Sequence, residues 1–575
     1  LIRTYPSPEA LRRLPFGLAD VAVILGALVL LAVVARVGEG MLVSFVPPQN
    51  VPSISLDTRN LPYYAARSTL RMFAGLAWSL IFTLAYGYAA ARSRRAERVL
   101  VPLLDILQSV PVLGFLSITV TGFIALFPGS LLGLEFASIF AIFTSQAWNM
   151  TFSFYQSLRT IPLELDEAAT LYRLSAWQRF TKLELPAATI GLVWNSMMSF
   201  GGGWFFVAAS EAISVLNQKY TLPGLGSYVQ AAVDAKNLPA LGWALLTMAV
   251  VIVLIDQLFW RPVVAWSDKF RLEQSASAAA PCSWVYSLLR QANVPELAAR
   301  IWRPLGGAAN AALDRLTAVR GPKREPQPHA LGDRLYNGAL IVAVVVLVAL
   351  GAGFVLETVG IGEVFKAFGL GLATLARVVV LLVFATLVWT PLGVAIGFSP
   401  SLARFLQPVV QFLASFPANF IFPFATLFFV RYHVNINYGC VLLMALGSQW
   451  YILFNSIAGA QSIPTELREM ADDFGLRGRQ RWRKLIVPGI FSSWVTGGIT
   501  ASGGAWNASI VSEIVTWGST TLAATGLGTY IADATTKGDW PRITLGVSVM
   551  SIYVVGANRL FWRRLYRLAE TRYHL

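Results

Sequence analysis

The chain has 575 residues, 56% of them apolar and only 13% charged, with a mean hydropathy of +0.60. Soluble chains carry roughly 25% charged residues and one soluble core rarely grows past about 250–300 residues, so a single soluble domain and disorder are both excluded. Two cysteines, Cys282 and Cys440, and three scattered histidines, His329, His433 and His574, exclude a disulfide scaffold and a thiolate metal site, which leaves a polytopic membrane protein.

A helix needs roughly 20 apolar residues to cross hydrocarbon. The first such run, 21–34, follows Arg3, Arg12 and Arg13 and has no small-residue cleavage site close behind it. It therefore reads as a retained helix rather than a removed signal peptide. Further runs fall near 72–91, 101–126, 132–156, 187–212 and 241–260, and a second set near 337–356, 374–397, 406–430, 437–457, 489–514 and 543–560. The predicted fold is all-α, six plus six spans. With the N-terminus in the cytoplasm, the inner segments hold 34 of the 45 lysines and arginines. That is the positive-inside bias. The net charge of +15 thus reports orientation, with both termini cytoplasmic, and does not point to nucleic acid.

The two sets are copies. Ile161-Pro162-Leu163-Glu164-Leu165 returns 302 residues later as Ile463-Pro464-Thr465-Glu466-Leu467. The same offset carries Gly201-Gly202 and Trp204 to Gly503-Gly504 and Trp506, Ser210-Glu211 to Ser512-Glu513, and Gly224-Leu225-Gly226 to Gly526-Leu527-Gly528. It also carries Leu258-Phe259-Trp260-Arg261 to Leu560-Phe561-Trp562-Arg563. Upstream the offset is 306, pairing Arg71 with Arg377, Gly87 with Gly393, Ser109 with Ser415 and Pro111 with Pro417. An even number of spans per half makes the repeats parallel, related by a pseudo-two-fold about the membrane normal, with a shared site between them. The expected division is a first repeat over 1–262, a cytoplasmic linker over 263–335 read as a tether with some helix, and a second repeat over 336–575.

The longest loop within each half joins its fourth and fifth spans, at 162–186 and 464–488. Pro162 and Pro464 suit the first turn of a helix, acidic residues crowd that turn as the helix dipole favours, and Gly475 sits where a left-handed cap would end it. Each loop reads as helix, turn, helix. The small residues Ala168, Ala169 and Ala471 would permit close approach by another surface.

Glu167-Ala168-Ala169 with Leu185-Pro186, and Glu469-Met470-Ala471 with Gly475 and Pro488, resemble the EAA loop of the membrane subunits of binding-protein-dependent ABC importers, type I permeases. The Gly-Gly-x-Trp-x5-Ser-Glu stretch, the Gly-Leu-Gly-x-Tyr loop and the Leu-Phe-Trp-Arg ending resemble its nitrate, sulfonate and taurine branch. The resemblance covers nearly all of both halves. It implies a bacterial cytoplasmic (inner) membrane permease carrying a small anion by alternating access. The implied partners are two ATPase subunits on the cytoplasmic face, a periplasmic or extracellular binding protein, and membrane lipid. The loops would be the ATPase-coupling sites. Arg173 replaces the family glycine in the first loop and Met470 the middle alanine in the second, so the first turn is expected to differ in shape.

No lysine follows a glycine, so the chain has no Gly-Lys-Ser/Thr phosphate loop. ATP and Mg would be bound by the partner ATPases, and no cofactor or catalytic constellation is expected in this chain. The alternative is a secondary active transporter with parallel six-plus-six repeats, which would need no such loop and would carry intramembrane ion relays. Asp20, Asp105 and Asp256 lie near span ends, where capping or snorkelling accounts for them.

Asn195, Ser199 and Asn507 are candidate pore groups, with helix–helix hydrogen bonding as the competing role. Arg71 and Arg377 begin their second spans, and Glu211 and Glu513 end their fifth. All four share one depth, and an intramembrane charge needs a partner. The repeat predicts the pairs Arg71–Glu211 and Arg377–Glu513; the alternative turns the arginines toward the pore.

Overall fold

A computed structural model describes residues 17–44, 52–109, 112–215, 218–270, 283–317 and 330–572. Arg3, Arg12, Arg13, Pro111, Cys282, His329 and His574 lie outside the described residues, as does the side chain of Asp105.

The first half runs through helices Leu18–Glu39, Leu61–Arg92, Arg94–Ser109, Leu116–Leu126, Leu132–Arg159, Leu185–Glu211 and Leu238–Ile255, and the last continues through a wide turn at Asp256–Trp260. The second half repeats that order as Ala330–Val359, Ile361–Phe398, Pro400–Ser415, Phe422–Arg431, Ile436–Ser462, Val487–Ser512 and Trp540–Ala557. Every expected span is helical in whole or in part. Seven helices among the described residues are long and apolar enough to cross a membrane on their own.

Two features correct the sequence reading. The third span of each half is not one helix. In the second half Phe416 is extended before Pro417 (φ −73°, ψ 126°), because the proline ring disfavours helical backbone at the residue before it. A short 3-10 turn, Ala418–Phe420, follows before Phe422–Arg431 begins. The first half breaks at the matching place, with the 3-10 turn Val112–Phe115.

The fold is also not wholly α. Each fifth-span helix ends in a hairpin, Ala212–Val215 with Gln218–Thr221 and Ile514–Trp517 with Thr520–Ala523, in register Ala212↔Thr221 and Ile514↔Ala523. β-Branched residues such as Ile514, Val515, Thr520 and Thr521 favour extended backbone. Gly518, at φ 57°, makes the second turn.

Packing follows the repeat. Leu132–Arg159 lies between Leu61–Arg92 and Leu185–Glu211, and Ile436–Ser462 lies between Ile361–Phe398 and Val487–Ser512. The broken third spans exchange between halves. Val112, Leu116 and Val120 enter a core shared with Leu381, Ile531 and Met550, while Phe420 enters the first half's core beside Phe200 and Tyr228. The hairpin ends of both halves meet around a cavity of about 290 Å³ that includes Ala212, Gly226, Ile514 and Thr516. The two loops therefore share the opposite face.

Candidate functional site

The first loop folds as helix Leu163–Leu171, a turn, and helix Ala176–Arg179. The second folds as Thr465–Asp473, a turn, and Gly478–Arg481. Glu167 and Glu469 are exposed at matching places, while Ala169 and Ala471 are buried beneath them. Ala168 is half-buried and Met470 is exposed; Pro186 and Pro488 are both half-buried where the fifth-span helices begin. Tyr172 and Phe474, 82% and 76% exposed, put an aromatic ring on each loop's tip.

The expectation that Arg173 reshapes the first turn is not met. Arg173 takes φ 50° where Gly475 takes φ 64°. Both turns close with the same bonds: Leu174 N–H to Ala169 O at 3.1 Å, and Leu476 N–H to Ala471 O at 2.9 Å. The Met470 substitution leaves the backbone alike as well.

Charges beneath the loops differ between halves. Arg179 pairs with Asp166 and, at 3.1 Å, with Glu184. In the second half Arg468 and Arg481 lie 4.6 and 5.8 Å from the Phe398 ring centre. Burial, then the neighbouring Arg481, draws the Arg468 pKa below the ordinary arginine value.

At the other end of the bundle each half holds a buried carboxylate in a cradle. Arg71 donates to Glu211 at 2.6 Å, and Arg377 to Glu513 at 2.8 Å. Ser68 and Thr374 donate to the same two carboxylates at 2.5 and 2.8 Å, as do the amides of Gly226 and Gly528 at 2.6 and 2.8 Å. The arginines also donate to the carbonyls of Pro223 and Thr525, both at 2.9 Å. The Gly-Leu-Gly loop thus wraps the carboxylate, and a Cβ on Gly224 or Gly526 would collide with it. Arg71, Glu211 and Glu513 are fully buried and Arg377 is 9% exposed. The arginines spend their donors on these partners rather than on an open path.

Sequence reasoning missed two members of the first cluster. Glu135 accepts from Arg71 at 2.5 and 2.8 Å and from Arg67. Its carboxylate near the start of an apolar helix, at the same end as Arg71, was the available signal.

The pore candidates separate. Asn195 donates to Ser153 Oγ at 2.9 Å and to Gly191 O at 3.0 Å, so it binds helix to helix. Ser199 is buried, its hydroxyl without a hydrogen-bond partner among the described residues. Asn507 accepts from the Val112 amide at 2.9 Å across the seam between halves. It also lines a cavity of about 130 Å³ there with Gln108, Ser145, Asn149, Tyr451 and the glycine pairs Gly201-Gly202 and Gly503-Gly504. Among the described residues no charged side chain lines this cavity. Nearer the loop face, a larger cleft of about 600 Å³ runs between the halves past Asp256, Arg261 and Arg404. There Asp256 takes Arg261 at 3.1 Å and Gln411 at 3.4 Å.

A family model described as binding-protein-dependent transport system inner membrane component matches residues 81–259 and again residues 389–573, more than half of the chain. The chain belongs to this family. It is a duplicated ABC permease component, integral to the membrane and non-catalytic, and the secondary-transporter reading is set aside.

The permease is similar to the nitrate import permease protein NrtB of Leptolyngbya laminosa, 25% identical over 33% of this chain and 64% of the relative. It is similar to the bicarbonate transport system permease protein CmpB of a Synechocystis species, 27% identical over 34% and 64%. The taurine transport system permease protein TauC of Escherichia coli is 23% identical over 31% and 62%. The permease therefore spans just under two thirds of the length of these relatives.

Proposed function

We propose that this chain forms the whole transmembrane path of an ATP-driven importer for a small anion. Twelve spans, six per half, are related by a pseudo-two-fold along the membrane normal, with both termini and both loops in the cytoplasm. Two ATPase subunits dock on the loops around Glu167 and Glu469, and hydrolyse ATP with its Mg. A binding protein delivers solute to the hairpin face. Closure of the ATPases drives the loops together and rocks the halves between inward- and outward-facing states.

The observation that carries this reading is the matched pair of exposed loops, with the same turn at Arg173 and Gly475. The three relatives are named for nitrate, bicarbonate and taurine, which supports a small anion. The uncharged seam cavity suits such a solute: amide, hydroxyl and backbone groups hold it loosely enough to let it leave, as conduction requires.

The test is reconstitution in proteoliposomes with candidate ATPase and binding-protein subunits. ATP-dependent uptake of nitrate, bicarbonate or taurine is expected. Uptake that follows an ion gradient without ATP would overturn the proposal. So would failure of any ATPase to co-purify.

A further inference from the structure

We propose that the linker helix Val294–Thr317 is a brace that positions the first coupling loop, with Asp314 and Asn310 as its positioning residues, and that among the described residues the second loop has no such brace. The contacts are specific. The Asp314 carboxylate accepts from Ser175 Oγ at 2.9 Å through one oxygen and from Gln178 Nε2 at 3.2 Å through the other. Asn310 Oδ1 accepts from the Trp177 indole at 2.9 Å, and Thr317 Oγ1 from the Trp177 amide at 3.3 Å. Asn310, Asp314 and Thr317 are spaced four and three apart, so one helix face presents all three.

Ser175 and Gln178 are also the residues that start the loop's second helix. Ser175 Oγ accepts the Gln178 amide at 3.0 Å, and Gln178 Oε1 accepts the Ser175 amide at 3.3 Å. Asp314 therefore grips the capping box that sets where that helix begins. The brace is fixed at its far end too. Asp20, buried in the first apolar helix, accepts from the amides of Asn293 and Val294 at 2.6 and 2.9 Å. A 24-residue helix spans about 36 Å, so it ties the first helix to the first loop across that distance.

The second loop is built otherwise. At the places of Ser175, Trp177 and Gln178 it has Arg477, Arg479 and Gln480. All three are exposed, where Ser175 is buried and Trp177 and Gln178 are half-buried. A push on the first loop must move the linker helix and, through Asp20, the first apolar helix. A push on the second loop moves no such partner among the described residues. The two coupling strokes are unequal by construction.

The effect on transport rests on the reading of these loops as ATPase docks; the brace itself does not. Hydrogen exchange on the purified full chain tests the brace directly. Amides at 175–184 are expected to exchange at least tenfold more slowly than those at 477–486. Asn310→Ala with Asp314→Ala should erase that protection and leave 477–486 unchanged. Ser175→Ala, a milder change, should erase part of it. Equal exchange in the two loops of the unaltered chain, or an unmoved first loop in both variants, overturns the brace. In the reconstituted importer the double variant should lower solute moved per ATP several-fold. Lost protection with unchanged transport per ATP would keep the brace and reject the docking role of the first loop.

Discussion

Glu135 and Asn437 stand at the same place in the two halves, and each accepts a hydrogen bond from the arginine that the repeat sets beside it, Arg71 at 2.5 Å and Arg377 at 2.8 Å. The acid in the first half has a second base, Arg67; the amide in the second half has Ala373 at the matching position. One positive and one negative charge have been exchanged together for neutral groups. Each cluster is therefore neutral, two against two and one against one. Buried charge demands that balance, since an unpaired ion keeps its desolvation penalty without the compensating attraction.

Neutrality predicts non-additive mutants. Glu135→Asn alone leaves two arginines against Glu211 and should destabilise the chain by about 3–5 kcal/mol. Arg67→Ala with Glu135→Asn copies the second half and should recover most of that loss. Thermal unfolding in detergent, with monodisperse yield as a second readout, measures both. Additive losses in the double variant would reject the account.

The carboxylate cradles predict where glycine is required. Gly224→Ala and Gly526→Ala drive a Cβ into Glu211 and Glu513. Overpacking of this kind costs about 1–3 kcal/mol. Gly242→Ala is the control, because a Cβ there meets nothing within 4 Å. It should be neutral or slightly stabilising in the same unfolding assay.

How far the sequence carried these features depended on repetition. Arg71, Arg377, Glu211 and Glu513 recur at fixed offsets, so their common depth is legible in the sequence. Glu135 and Arg67 do not recur, and a half-to-half comparison passes over them. The third spans read as single helices because the apolar run continues through Pro417; the proline is visible in the sequence, but its break is a backbone effect that hydropathy does not register. The hairpins escaped for a similar reason, being only four residues per strand at the end of an apolar helix. The grip of Asp314 on Ser175 joins residues 139 apart, and no local pattern announces it.

The exposed acids of the loops predict a coupling defect without a folding defect. Glu167 and Glu469 are exposed and lie at the middle of their nine-residue helices, so reversal to lysine removes no buried contact. Surface changes of that kind usually fall within ±0.5 kcal/mol. Glu167→Lys with Glu469→Lys should therefore insert and unfold normally while losing at least tenfold in ATPase co-purification or in ATP-coupled transport. Full coupling in the double variant would remove these residues from the dock.

The turn at Arg173 makes the last prediction, and it separates backbone strain from contact. A non-glycine residue in the left-handed region carries roughly 1–2 kcal/mol of steric cost, and Arg173 sits there at φ 50°. Its side chain is exposed, so replacement should sacrifice little packing. Glycine also gains freedom in the unfolded chain, which offsets part of the relief. Arg173→Gly should thus stabilise the first loop by under about 1 kcal/mol, while Gly475→Arg should destabilise the second by a similar or larger amount. The two substitutions have opposite signs because the same turn closes both loops through Leu174 and Leu476. Exchange of the Leu174 and Leu476 amides reads each effect where it arises: Leu174 should slow in the first variant and Leu476 should quicken in the second. The same sign of change in both would mean that the side chain of Arg173, and not its backbone, decides the turn.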